Sequence, residues 1–185
     1  MVELMTFPGE ALPADLKRQV LTCQRVQWPS GFVGQDRERD WIIRPHHHPT
    51  HFLLVKDGVL MSHVGVVWKV LQLEGETYTT YGLSGVLTVP AFRRQGHGRT
   101  LVDAATEHIR RSEADIGLFM CPPNRRAFYA ASGWIPMDQT TLLGGPRSAP
   151  YPSGELTMMD FFSEKGKRGR SAFEGQCIYF DDDLW

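Results

Sequence analysis

The stretch from Leu87 to Ser112, LTVPAFRRQGHGRTLVDAATEHIRRS, constrains the fold more than any other part of this chain. A β-branched run ending at Val89 meets Pro90, then a basic turn punctuated by glycine, then a segment in which Leu101, Val102, Ala105 and Ile109 recur at helical spacing. The order is strand, turn, helix. Within Arg93-Arg94-Gln95-Gly96-His97-Gly98, two glycines sit where backbone must approach a ligand closely, directly ahead of a helix whose first amides have no partner inside the helix. Free N–H groups and the helix dipole both favour an anion at such a terminus. The arginines add charge suited to phosphate, so the stretch predicts a pyrophosphate cradle; the plainer alternative is a helix N-terminus with solvated arginines. Neither G-x-G-x-x-G nor G-x-x-x-x-G-K-[ST] occurs here, so a dinucleotide fold and a triphosphate loop are set aside.

With 185 residues, the chain has room for one domain with a proper core, residues 1–185. A formal net charge of -1, from 20 basic and 21 acidic residues, argues against a general nucleic-acid or anionic-membrane binder. The cysteines Cys23, Cys121 and Cys177 are odd in number and widely spaced, which argues against a disulfide framework or a C-x-x-C metal site and for a reducing cytoplasm. The N-terminal MVELMTFPGE carries acids and no long apolar core, so neither a signal peptide nor a membrane span is expected.

Pro13 to about Trp28 reads as the first helix, with Leu16, Val20 and Cys23 on its apolar face. FVGQDRERDW, from Phe32 to Trp41, reads as a charged loop or short second helix. In RPHHHPTH, His46, His47, His48 and His51 raise the question of zinc, but no carboxylate or cysteine stands at ligand spacing and prolines interrupt any helical face. An exposed loop without metal is the expectation. Phe52–Val55 and Val59–Val70 form a hairpin across Asp57-Gly58, a dipeptide that favours the tight primed turn, and Glu74-Gly75-Glu76 reverses the chain into a strand from Thr77 to Val89. Ile116 to Met120 is a short apolar run, consistent with a buried strand parallel to the one before the cradle. A short helix from Asn124 to Ser132, strands over Trp134–Leu143 and Leu156–Phe162, a mobile loop over Lys165–Arg170 and a last short strand before Asp181-Asp182-Asp183 complete the reading.

The cradle resembles the acetyl-CoA-binding motif [QR]-x-x-G-x-[GA] of the GNAT N-acetyltransferases, and the family's second motif has its counterpart in Asn124, Ala127, Phe128, Tyr129, Gly133 and Trp134. The resemblance implies an α/β (α+β) GNAT fold. Its central sheet is mixed and mostly antiparallel, flanked by helices, with a parallel pair of strands splayed to admit acetyl-CoA. It implies that Leu87 and Val89 hold the pantetheine arm and acetyl carbonyl and that Arg94, Gln95, Gly96, His97, Gly98 and Arg99 hold the pyrophosphate. Asn124 joins the cofactor set, and Tyr129 takes the place of the tyrosine that protonates the departing thiolate. Where relatives often carry a glutamate acting as base through water, this sequence has Ser84; deprotonation through water and backbone carbonyls, through His63 or through Ser84 all stay open. Cys121 has no partnered base in the sequence, and direct transfer needs no acyl-enzyme.

The flanks resemble the aminoglycoside 2'-N-acetyltransferase branch. Phe32-x-Gly34 with Asp40-Trp41 is similar to its F-x-G-D-x-x-x-x-D-W segment, Gly58-x-Leu60-x-x-His63 to its G-A-L-I-A-H strand, and Asp183-Leu184-Trp185 to its G-D-V-W ending. This implies an aminocyclitol or aminoglycoside acceptor, with resistance as the outcome. Asp40, Asp182, Asp183 and the Trp185 carboxylate would line the site for ammonium groups, and Trp41 and Trp185 would form flat walls. The alternative for DDDLW is a frayed acidic tail. One branch carboxylate is replaced here, by Ser153 or Glu155, which favours a smaller or differently charged acceptor such as the two-ring antibiotic kasugamycin. Many relatives pair as dimers, so a homodimer is within what the resemblance implies. Rival readings are acetylation of another small amine or peptide N-terminus, and a non-catalytic acyl-CoA sensor.

Overall fold

The computed structural model describes the backbone of residues 1–185 and every side chain but that of Glu10. The strands are β1 (Val2–Pro8), β2 (Thr50–Lys56), β3 (Val59–Leu73), β4 (Glu76–Thr88), β5 (Ile116–Cys121), β6 (Ile135–Met137), β7 (Thr141–Gly144), β8 (Tyr151–Pro152), β9 (Leu156–Phe161) and β10 (Cys177–Asp181). The helices are α1 (Ala14–Gln27), α2 (His97–Arg110), α3 (Arg126–Ala130) and α4 (Glu164–Arg168). A seven-stranded sheet has the order β1-β2-β3-β4-β5-β9-β6, and a three-stranded sheet has the order β10-β7-β8. In the larger sheet β4 and β5 run parallel, while β1/β2, β2/β3, β5/β9 and β6/β9 are antiparallel, so the mixed, mostly antiparallel architecture with one parallel pair is present. Among the described residues, no helix is long and apolar enough to cross a membrane.

The chain divides into two compact units, Met1–Val67 with Leu83–Ala105, and Trp68–Gly82 with Thr106–Trp185. In the first, α1 follows Pro13 and buries Leu16, Val20 and Gln24, one residue per turn on one face. Strand β2 buries Phe52 to Val55 in succession, as a strand covered on both faces must. The β2–β3 turn places Asp57 at φ 51° and Gly58 at φ 77°, the double left-handed geometry of the primed turn that matches strand twist.

In the second unit, the fully buried Trp134 packs against Gly117 of β5, where a Cβ would lie 2.5 Å from the indole. Its Nε1–H donates to Thr106 Oγ1 at 2.9 Å, and Phe119 meets it edge-on at 4.6 Å between centroids. A further cluster joins Leu71, Tyr78, Leu118, Leu142, Phe173 and Phe180, with Leu184 and Trp185 packed against it.

Several expectations need correction. Strand β1 was not anticipated: it pairs with β2 from Val2↔Lys56 to Pro8↔Thr50, yet most of its residues are exposed, so no burial pattern marks it. The expected strand over Trp134–Leu143 is two strands in two sheets. Thr140 divides them, donating from Oγ1 to Phe173 O at 2.6 Å while its own carbonyl accepts from Thr157 Oγ1 at 2.8 Å. Lys165–Arg170 is not a mobile loop, because Ser163 caps α4 by accepting from Gly166 N at 3.0 Å and Glu164 pairs with Lys167 at 2.7 Å. Gly166 lets the helix touch down, since a Cβ there would fall 2.1 Å from Asp115 O. The histidine segment is not wholly exposed either: His47 and His51 are buried. For the acidic ending, it is the alternative of a frayed tail that is set aside. Tyr179 donates to Asp182 Oδ1 at 2.7 Å, and Lys69 holds Asp181 at 2.6 Å.

Candidate active site

In the first unit, β4 ends at Thr88 and the chain enters the turn ahead of α2. Arg94 adopts φ 62° and Gly96 φ 84°, the left-handed backbone found where turn amides form an anion-binding concavity. The amides of Gln95, Gly96, His97 and Gly98 have no hydrogen-bond partner among the described residues, and His97 Nε2 is buried without one. The Gly96 carbonyl starts the helix by accepting from Thr100 N at 3.0 Å. Arg93 is held by Thr88 O and Gln27 Oε1, and Arg99 pairs with Asp103 at 2.8 Å. Arg94 is exposed. Four adjacent free donors, flanked by arginines at the start of a 14-residue helix, are the donor set that a pyrophosphate requires, and these residues fit acetyl-CoA. Leu87 is buried with its carbonyl accepting from Ser62 Oγ at 2.7 Å; Val89 has its N–H on Met61 O at 3.0 Å and its carbonyl on Phe92 N at 2.8 Å.

Ser84, half-buried, lies beside Gly85, a residue at φ 58° within β4. Gly85 O accepts from His63 Nδ1 at 2.9 Å, and His63 Nε2 meets His51 Nδ1 at 3.0 Å. Since a carbonyl only accepts, His63 carries its proton on Nδ1, and His51 Nδ1–H then donates to the bare Nε2. Both His63 nitrogens are occupied. Burial first, and the neighbouring His51 second, push its pKa down to about 3 against the pull of Gly85 O. His63 is therefore neutral and without a lone pair to spare, which removes it as the base.

Its folded pKa is depressed from the ordinary 6.5, so the unfolded chain binds the proton more readily. This contribution to stability is intact above 6.5 and is lost as pH falls from there toward 3. Lowering the pH from 7 to 5 is expected to cost about 2 kcal/mol from this residue, and His63→Gln should flatten that part of the profile. Urea unfolding at the two pH values reads it directly. Equal slopes in the variant and the parent would remove the assignment.

Asp40 is exposed and pairs with Lys17 at 3.6 Å. Arg39 and Arg44 lie over the Trp41 ring, at 4.3 and 4.6 Å from its centroid. Gln24, buried on the apolar face of α1, accepts from Arg39 at 3.0 Å. Neither Gln24 nor Arg39 stands out by residue type. The signal was positional, in that the spacing of Leu16 and Val20 puts Gln24 on the core face.

In the second unit, Asn124 is exposed on the turn Pro123–Arg125. Tyr129, on α3, is buried, with its ring edge-on to Phe119 and Phe128 at 4.8 and 4.9 Å. Burial raises its pKa, Cys121 adds to the rise and Arg125 opposes it, so the phenol stays protonated. Burial, with help from Glu155 and against Arg126 and Arg125, pushes the Cys121 thiol up to about 11, which leaves it a poor nucleophile.

The β4–β5 ladder has only the pairs Thr80↔Ile116 and Tyr81↔Gly117. One residue on, the Trp185 indole takes over: its Nε1–H donates to Leu118 O at 3.1 Å, and a Cβ at Gly82 would lie 2.3 Å from that nitrogen. Leu184 packs on Gly144, where a Cβ would be 2.6 Å away. Asp182 is exposed, and Asp183 is half-buried. Within this unit Asp182, Asp183 and Trp185 follow directly from β10, while Tyr129 is on α3.

Residues 15–134 match the family described as Acetyltransferase (GNAT) family. The chain is 22% identical over 178 residues to an aminoglycoside 2'-N-acetyltransferase of Mycolicibacterium fortuitum, covering 93% of this chain and 88% of that protein. A GNAT acetyltransferase of Brucella melitensis, solved in complex with acetyl-CoA, superposes with a TM-score of 0.53 at 15% identity, over 72% of this chain and 83% of that one. A conserved protein of Enterococcus faecalis V583 gives 0.59 at 14% identity over 74% of this chain; only 33% of that longer protein is spanned. The chain belongs to the acetyltransferase (GNAT) family, and is an acyltransferase supplied by acetyl-CoA.

Proposed function

We propose that residues 1–185 act as one acetyltransferase domain that moves an acetyl group directly from acetyl-CoA to a primary amine of an aminoglycoside-type molecule, at a 2'-amino position, in a reducing cytoplasm. The observation that carries the reading is the run of free amides from Gln95 to Gly98 between Arg94 and Arg99. These amides and arginines would hold the pyrophosphate, with Asn124 and the Leu87–Val89 backbone along the rest of the cofactor. Acetyl-CoA supplies an activated thioester. Tyr129 gives its phenolic proton to the departing thiolate, and its buried position keeps that proton in place until then. Cys121, held as thiol, forms no acyl-enzyme. Ser84, or water against the β4 carbonyls, accepts the proton of the attacking amine.

Asp182 and Asp183 would face ammonium groups, with Trp185 beside them; the Mycolicibacterium fortuitum relative is by name an aminoglycoside 2'-N-acetyltransferase. Asp40 adds a further carboxylate. The test is CoA release, followed by thiol detection, with acetyl-CoA and a panel of kasugamycin, three-ring aminoglycosides, polyamines and short peptides. Release with an antibiotic supports the reading. Release with peptides alone, or acetyl-CoA binding without release across the panel, overturns the antibiotic acceptor.

A further inference from the structure

Residues 32–44, FVGQDRERDWIIR, look in sequence like a solvated charged face. Folded, they form a ladder in which cations and rings alternate. Arg25 lies 4.7 Å from the Phe32 centroid, Arg39 lies 4.0 Å from Phe32 and 4.3 Å from Trp41, and Arg44 lies 4.6 Å from Trp41. Of the segment's acids, Asp36 pairs with Arg44 at 2.7 Å and Asp40 with Lys17 at 3.6 Å, and neither pairs with Arg39. Arg39 is half-buried, its one hydrogen bond goes to the neutral amide of Gln24 at 3.0 Å, and no carboxylate among the described residues pairs with it. Burial and the nearby Arg44 and Arg25, against Asp36, pull its pKa below the ordinary arginine value. Arg39 is thus a stacked arginine left without a carboxylate partner among the described residues.

The ladder abuts β4 inside the first unit. Gln24 Nε2 would lie 2.9 Å from a Cβ on Gly85, and Ile43 covers Gly65, whose Cβ would meet Ile43 Cδ1 at 2.1 Å and Ser84 O at 3.2 Å. The arginines therefore stand next to the stretch of strand that carries Ser84 and leads into the cradle. A planar guanidinium stacked on a ring has its fork fixed in one plane, the arrangement that takes a carboxylate through two parallel hydrogen bonds.

We propose that Arg39 and Arg44, stacked on Trp41, form a subsite for a carboxylate carried by the amine acceptor. The acceptor is then a zwitterionic amino sugar or aminocyclitol rather than a pure polycation. This deepens, and rests on, the acetyl-transfer reading above.

The experiment is calorimetric titration of the full chain with kasugamycin, which bears one carboxyl group, with its methyl ester, and with tobramycin, which bears none. Kasugamycin is expected to bind at least about 10-fold more tightly than the ester, and Arg39→Gln to abolish that difference, since a charge-assisted pair is worth at least one decade in affinity. Acetyl-CoA binding by Arg39→Gln should match the parent. Arg44→Lys, which keeps the charge and loses the fork, should give a partial loss. Equal binding of acid and ester, tighter binding of tobramycin, no binding of kasugamycin, or joint loss of kasugamycin and acetyl-CoA binding in both variants would each overturn the subsite. Arg39-dependent binding of kasugamycin without CoA release supports the subsite and overturns the transfer reading. CoA release with tobramycin alone does the reverse.

Discussion

Replacing Tyr129 by phenylalanine is expected to lower kcat about 100-fold, the lower range for a positioned general acid, and to leave the Kd for acetyl-CoA unchanged. The hydroxyl has no hydrogen-bond partner among the described residues, so its removal leaves no orphaned polar group behind. The ring contacts with Phe119 and Phe128 remain, and the melting temperature should stay within a degree or so. Because burial raises the phenol's pKa, its proton is retained across the neutral range, and the variant's defect should be flat from pH 6 to 9. Steady-state kinetics with calorimetric measurement of acetyl-CoA binding separate the possibilities. An unchanged kcat would remove the acid role, and lost acetyl-CoA binding would make Tyr129 a packing residue.

A chain ending at Asp183 is expected to lose about 3–5 kcal/mol of stability, close to the cost of deleting one large core side chain. Leu184 fills the space over Gly144, and Trp185 covers Gly82, donates to Leu118 O and meets Phe180 edge-on at 4.6 Å. Removing both exposes the Leu71–Phe180 cluster and leaves a strand carbonyl without its donor. The melting temperature should fall by roughly 6–15 °C for a chain of this size. Differential scanning calorimetry reads it. A truncated chain that melts with the parent would show the last two residues to be ornamental to the core. Trp185→Phe, which keeps a ring and drops the indole N–H, distinguishes packing from the hydrogen bond.

Much of this was legible because the decisive signals are local in sequence. The Asp57-Gly58 turn needs positive φ at both residues and is spelled by a dipeptide that tolerates it. The helical spacing of Leu101, Val102, Ala105 and Ile109 gave α2, and the glycines of the cradle gave the free amides ahead of it. What stayed hidden depends on partners distant in the chain. Strand β1 is held by backbone pairing to β2 while its side chains stay exposed, so no apolar pattern could reveal it. The division between β6 and β7 rests on Thr140 bonding to Phe173, 33 residues away. His51 and His63 meet across the β2–β3 register, where His51 faces Gly65 and Leu53 faces His63, a diagonal that the sequence reveals only after the register is known. The arginine ladder is hidden for another reason: charged residues alternating with aromatics describe a solvated face and a cation–π stack equally well.

The parallel ladder that stops at Tyr81 and Gly117 has its next place taken by the ring of Trp185, which closes over a glycine at 82. A methyl group at 82 would meet both the Trp185 indole, at 2.3 Å, and the Leu118 carbonyl, at 2.4 Å, so alanine at 82 is harmful with or without the indole. Gly82→Ala and Trp185→Ala should be only partly non-additive, because losing the indole relieves one of the two clashes and leaves the one with Leu118 O. Glycine at 82 is then required by the neighbouring strand's carbonyl as well as by the ring, and loss of the tryptophan alone does not free that position.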